Sequence, residues 1–202
     1  MNASSKPLIR FKFDVEKLVA ALCFFASRTK GLDKLKAAKL LYFADKYHLV
    51  KYGRPILGDT YFRLDYGPVP SLSLDIMNEA VSPYRLDIPQ ENLELLKEYL
   101  KVDLEKRHPL FEAKTQPDLD VLSESEVEAL QETVKAYGGY SGARLIDLTH
   151  REASWKKTGK NEQIDYRLFF EGENNASPEA LEYLESFRED TELVFALSAP
   201  VS

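Results

Sequence analysis

The stretch KLKAAKLLYFADKYHLVKY, residues 34–52, constrains this chain more than any other. Asp33 in front of it is a favoured N-cap residue, and Gly53 followed by Pro55 is a stop, so the pattern predicts one helix of about five turns. Leu35, Ala38, Leu41 and Tyr42 line one side, and Leu40, Phe43 and Tyr47 widen the apolar surface beyond a single stripe. A helix apolar around so much of its circumference is expected at the centre of a fold, packed by several neighbours. The rest of the chain has to supply them.

Most of those neighbours are legible. Asp14 is placed to cap a helix with Val15, Leu18, Val19, Leu22 and Phe25 on one face. Ser123 with Glu126 forms a capping-box signature ahead of Val127, Leu130, Val134 and Tyr137, and Gly138-Gly139 ends that run. Ser141 caps GARLIDLTH. A helix is expected from Pro89 with Leu93, Leu96 and Leu100 inward, and another from Ser177-Pro178 with Leu181 and Leu184 inward. Between the central helix and the next, RPILGDTYFRLDYGPVP reads as a hairpin turning at Gly58-Asp59, with Phe62, Leu64 and Tyr66 alternating against Arg63 and Asp65. Pro68 is expected to stop that strand, and helical spacing resumes at Val69, Leu72 and Ile76. KRHPLFEAKTQPDLDVL, with two prolines and mixed charge, reads as an exposed connection, and IDYRLFF and ELVFAL as short extended runs. The expected class is mostly α (α+β): a compact helical domain with a small antiparallel β-hairpin. Residues 1–160 form that domain, and 161–202 form an acidic extension packed on it.

Composition narrows function by exclusion. At 202 residues, 44% of them hydrophobic, the chain holds enough apolar material for one core. Its single cysteine, Cys23, sits in an apolar run and can form no disulfide within the chain, which fits a reducing compartment. MNASSKPLIRFKF lacks the continuous apolar segment of a signal peptide, and no later stretch has the length of a membrane span, so the expectation is a cytoplasmic protein without a membrane partner. A net charge of −6 disfavours nucleic acid as the main ligand. That total hides an asymmetry: residues 1–60 carry 12 Lys and Arg against 5 Asp and Glu, and the remainder 15 against 28. Attraction between the two parts is the simpler reading, an acidic partner for the basic part the sharper one.

No motif for catalysis stands out. His48, His108 and His150 are scattered, with no metal-ligand spacing, and there is neither a nucleophile elbow nor a phosphate-binding glycine loop. The expectation is no catalytic residue, no metal and no cofactor. Arg63 and Asp65, two apart on a strand, point to one face, where they either pair or present a charged fork to a ligand. An enzyme reading would need Asp65, Arg63 and His150 to meet in a polar pocket around a small or nucleotide-like ligand. DNA binding for autoregulation rests only on the basic N-terminal third, with no helix-turn-helix to support it.

KLLYFADKYHLVKYGRPILGDTYFRLDYGPVP, followed later by SGARLIDLTHREASW, resembles the Panacea domain, the SocA-like antitoxin family, over roughly residues 14–157. The resemblance rests on Lys39 to Ala44, Gly53 to Leu57, Tyr66 to Val69, and Leu148 to Trp155. Where relatives often carry Ala-Trp ahead of the Tyr-Gly-Pro-Val turn, this chain has Arg63-Leu64-Asp65. The resemblance implies a small protein of toxin–antitoxin or prophage-associated modules whose partner is a protein toxin, neutralised by direct binding or by delivery to a protease complex as an adaptor. On that reading Arg63, Asp65, Tyr66, Gly67 and Pro68 form the docking edge, while Tyr42, His150 and Trp155 brace the domain.

Overall fold

The computed structural model describes residues 7–82 and 88–187. Helix α1 (Val15–Arg28) leads to the central helix α2 (Lys34–Tyr52), then to strands β1 (Tyr61–Leu64) and β2 (Gly67–Pro70) and helices α3 (Ser71–Val81) and α4 (Gln90–Tyr99). Strands β3 (Leu100–Asp103) and β4 (Leu110–Ala113) follow, then helices α5 (Glu124–Tyr137), α6 (Gly142–Thr149) and α7 (Ala153–Lys157). A 3₁₀ turn spans Tyr166–Phe169, and a last helix, α8, covers 178–187. The fold is mostly α with two antiparallel strand pairs, β1 with β2 and β3 with β4.

The caps fall where the sequence puts them. Asp14 accepts from the Lys17 amide, Asp33 from Lys36 and Ser141 from Arg144, while Ser123 and Glu126 close a full capping box. Each such cap is worth about 1 kcal/mol. Gly53 ends α2 in the left-handed region, and its bare Cα lets α8 approach, since a Cβ there would lie 2.6 Å from the Ala180 carbonyl.

Helix α2 separates two apolar clusters. Ala37, Leu40, Leu41 and Ala44 pack with α1, α4 and α5 on one side, around Leu22, Phe24, Leu96 and Leu130. Tyr42, Phe43, Leu49 and Val50 pack on the other with Tyr61, Leu145, Phe169 and Leu184. This double burial is why one stripe could not serve it. Charge ties the same parts together: Lys17 and Arg54 converge on buried Glu126 at 2.7 and 2.6 Å, and Lys51 meets Glu128 at 2.7 Å. The basic N-terminal third is thus matched in part against the acidic remainder within the chain.

Several local expectations give way to tertiary structure. Gly58-Asp59 is not a hairpin turn. The Ile56 and Leu57 amides that a ladder would need donate instead to the Asp45 carboxylate, and Asp59 is buried, accepting from Leu72 and Ser73 at the start of α3. The hairpin lies one step later. Pro68 does not end it, because Pro68 and Pro70 stand opposite Arg63 and Tyr61, whose own backbone groups turn away to Glu162 and Ile164. The prolines occupy positions where an antiparallel pair exchanges no hydrogen bonds, so their missing N–H costs nothing. The supposed exposed connection contains β4, with Phe111 buried and its amide bonded to the Leu32 carbonyl. Leu100 begins β3 instead of extending α4, and IDYRLFF closes into the 3₁₀ turn. In α8, Ala180 and Leu184 face inward while Leu181 is exposed. ELVFAL lies outside the described residues. Among those described, no helix is long and apolar enough to cross a membrane.

Candidate functional site

Pairing of Leu64 with Gly67 closes the β1–β2 hairpin and leaves Asp65 and Tyr66 as its tip. Tyr66 is 69% exposed, more than any other large apolar side chain described. Asp65 is exposed too, and its Oδ1 lies 2.8 Å from Lys160 Nζ. The hydrogen bond from Lys160, with that residue's charge, holds the Asp65 pKa below the usual aspartate range.

Beneath the tip the hairpin is fastened to α7. Arg63 Nε donates to the Trp155 carbonyl at 3.0 Å, and its guanidinium carbon sits 4.3 Å from the indole centroid. The Trp155 indole N–H returns a bond to the Leu64 carbonyl at 3.0 Å. His150, the C-cap of α6, stacks on the same indole at 4.0 Å and 22°. A guanidinium over an indole, with a carbonyl to accept its proton, outcompetes a solvent-exposed carboxylate. Arg63 and Asp65 therefore part company: one joins the support, the other turns out to Lys160. Asp65 pairs with Lys160, Arg63 donates to the Trp155 carbonyl and His150 stacks on the indole, so the described geometry does not assemble the three as a reacting group.

Tyr42 reaches α7 from the core side, its hydroxyl 2.7 Å from Ser154 Oγ and its ring against Tyr61 and Phe169. Tyr42, His150 and Trp155 thus join α2, α6, α7 and the hairpin in one packed unit. Gly67 and Pro68 complete it. Gly67 has φ +98°, and a Cβ there would meet Thr149 Oγ1 at 2.5 Å and Lys39 Nζ at 2.8 Å. Pro68 offers its carbonyl to Lys39 Nζ at 2.7 Å. The Lys39 amine is fully buried, and burial pulls its pKa down to about 7.

Two buried carboxylates escaped sequence reasoning. Asp45 accepts from the Ile56 and Leu57 amides and from the Tyr61 hydroxyl at 2.8–3.0 Å; burial, against those three donors, raises its pKa to about 7. Asp59 accepts from Thr60, Leu72 and Ser73, and its carbonyl receives the Tyr166 hydroxyl. Perturbed carboxylates often mark active sites, but both of these are enclosed and saturated with donors, so they hold the 56–61 loop in shape. One acid in the buried middle of α2 was the available signal. Among the described residues, no three His, Cys, Asp or Glu side chains gather as metal ligands would.

The site can present an exposed ring and a paired carboxylate on a short turn whose underside is locked. Such a turn can bind a partner with little further ordering.

A family model described as antitoxin SocA-like, Panacea domain, matches residues 38–156, from the second turn of α2 through α7. No curated protein and no solved structure matches the chain.

Proposed function

Since the chain belongs to the antitoxin SocA-like, Panacea domain family, we propose that it neutralises a protein toxin by binding it, with the β1–β2 tip as the docking edge. One observation carries the placement: Tyr66 stands exposed on a turn held from below by Trp155, Arg63 and Lys39. An exposed tyrosine on a rigid support gives a large amphipathic contact at low entropic cost. Apolar and aromatic contact supplies most of the affinity of such an edge, and charged groups around it, here Asp65 and Lys160, supply the discrimination. Neutralisation then comes from covering the toxin's working surface.

Co-expression with the product of the neighbouring reading frame tests this reading. Rescue of growth together with co-purification of an intact complex is the expected outcome. Rescue accompanied by disappearance of the toxin would replace occlusion with delivery to a protease. A non-toxic neighbour that forms no complex would overturn the reading.

A further inference from the structure

Away from the hairpin tip, residues of α2 and α5, with Glu152, Glu173 and Asn175, line a cavity of about 390 Å³. Phe43 of α2 and Tyr137 of α5 line it, stacked on each other at 4.1 Å and 17°, and Tyr47 adds a third ring. Three carboxylates, Glu132, Glu152 and Glu173, share the lining with two amines, Lys46 and Lys51. Lys46 is already held between Glu152 and Glu173, the latter at 2.6 Å, and Lys51 is bound by Glu128 at 2.7 Å. One ammonium between two carboxylates leaves an excess of negative charge and of acceptor lone pairs. Thr133 also lines the cavity, 2% exposed, and its buried hydroxyl has no hydrogen-bond partner among the described residues. A buried hydroxyl left without a partner is costly, and a bound donor relieves that cost.

Aromatic walls, spare acceptors and a surplus of negative charge favour a cation carried on a flat or apolar body. An anion would meet carboxylates, and both ammonium groups of the lining are already occupied. Guanidinium fits best: it stacks on rings and offers five donors in a plane, enough to share both carboxylates with Lys46. We propose that this cavity is a second binding site, which receives an arginine side chain of the protein partner. The partner's identity as a toxin rests on the antitoxin reading; the cavity's chemistry does not. Glu173 lies beyond the family match at 38–156, whereas Phe43, Thr133, Tyr137 and Glu152 lie within it. The pocket is thus built mostly from the matched domain and completed by Glu173 and Asn175 from beyond it.

Benzamidine, a flat ring bearing an amidinium, is a suitable probe because it requires no toxin. Titrated into the full chain, it should shift the Thr133 and Val50 methyl NMR signals saturably. Glu173→Gln, at a partly exposed position, should weaken it by about tenfold or more, the loss of one charge-assisted contact. Benzyl alcohol, of similar shape without charge, should bind at least about tenfold more weakly on the same ground. Absence of a saturable shift, or equal binding of the two probes, would overturn the cavity as a cation site whatever the chain's partner. In the toxin complex, exclusion of benzamidine and loss of affinity on replacing one toxin arginine would support the assignment. Benzamidine bound undisturbed beside the toxin would overturn it and give the site to a free organic cation.

Discussion

Lys39 carries a primary amine to the underside of the hairpin, where its one hydrogen bond among the described residues goes to the Pro68 carbonyl. A buried amine with no carboxylate beside it is destabilising as a cation, and burial lowers its pKa from 10.5 to about 7. The unfolded chain keeps that proton up to about pH 10.5, while the native state releases it near pH 7. Below about pH 7 the native state bears the cost in full; between about pH 7 and 10.5 the unfolded chain binds more protons, so this residue makes stability rise with pH. Lys39→Met should therefore stabilise the domain by about 2 kcal/mol at pH 6, after allowing for the unpaired Pro68 carbonyl. The gain should shrink toward pH 10. Urea unfolding of both proteins across that range checks it, and a variant less stable than the parent at pH 6 would show the amine to be satisfied. Of the residues under the tip, Gly67 was legible in sequence because a glycine before a proline at a bend implies special backbone. The Lys39 amine was not, since a lysine in an amphipathic pattern reads as solvent-facing.

At the scale of elements, caps were the most readable feature: Asp14, Asp33, Ser123 and Ser141 each satisfy amides three residues on, a purely local requirement. Of the four-residue strands, β1 was legible as extended, but its pairing with β2, and β3 and β4 altogether, were not. β4 forms because Phe111 finds a place against α1 and bonds to Leu32, which no window around KRHPLFEAK contains, and β1 is flanked by residues 161–164, a hundred positions away. The candidate site shows the same division. Its position on the Tyr-Gly-Pro-Val turn was readable, but the meeting of Arg63 with Trp155 required the fold. α8 offers a clean test. Leu184 is fully buried beside Val50 and Phe169, whereas Leu181 on the next face is exposed. Leu184→Ala should cost about 2–5 kcal/mol, and Leu181→Ala no more than about 0.5 kcal/mol, in denaturant unfolding. Equal, small effects would mean that α8 contributes little to the core despite its contacts.

For the molecule as a whole, α2 divides the interior and positions both surfaces of interest. Lys39, Tyr42 and Phe43 lie within two turns of it; the first two support the hairpin unit and the third lines the acidic cavity. A partner that engages the hairpin tip and places a cation in the cavity would hold two faces of one rigid body. Such a contact needs no refolding of the antitoxin-like domain, and the exposed tip can be altered without disturbing the core. The most direct measurement is the affinity of Tyr66→Ala and Asp65→Lys for the co-purifying toxin, taken beside their melting temperatures. Tyr66 is exposed and Asp65 pairs with a surface lysine, so both variants should melt within about 2 °C of the parent while binding at least about tenfold more weakly. Full affinity in both folded variants would contradict the placement of the docking edge on this turn.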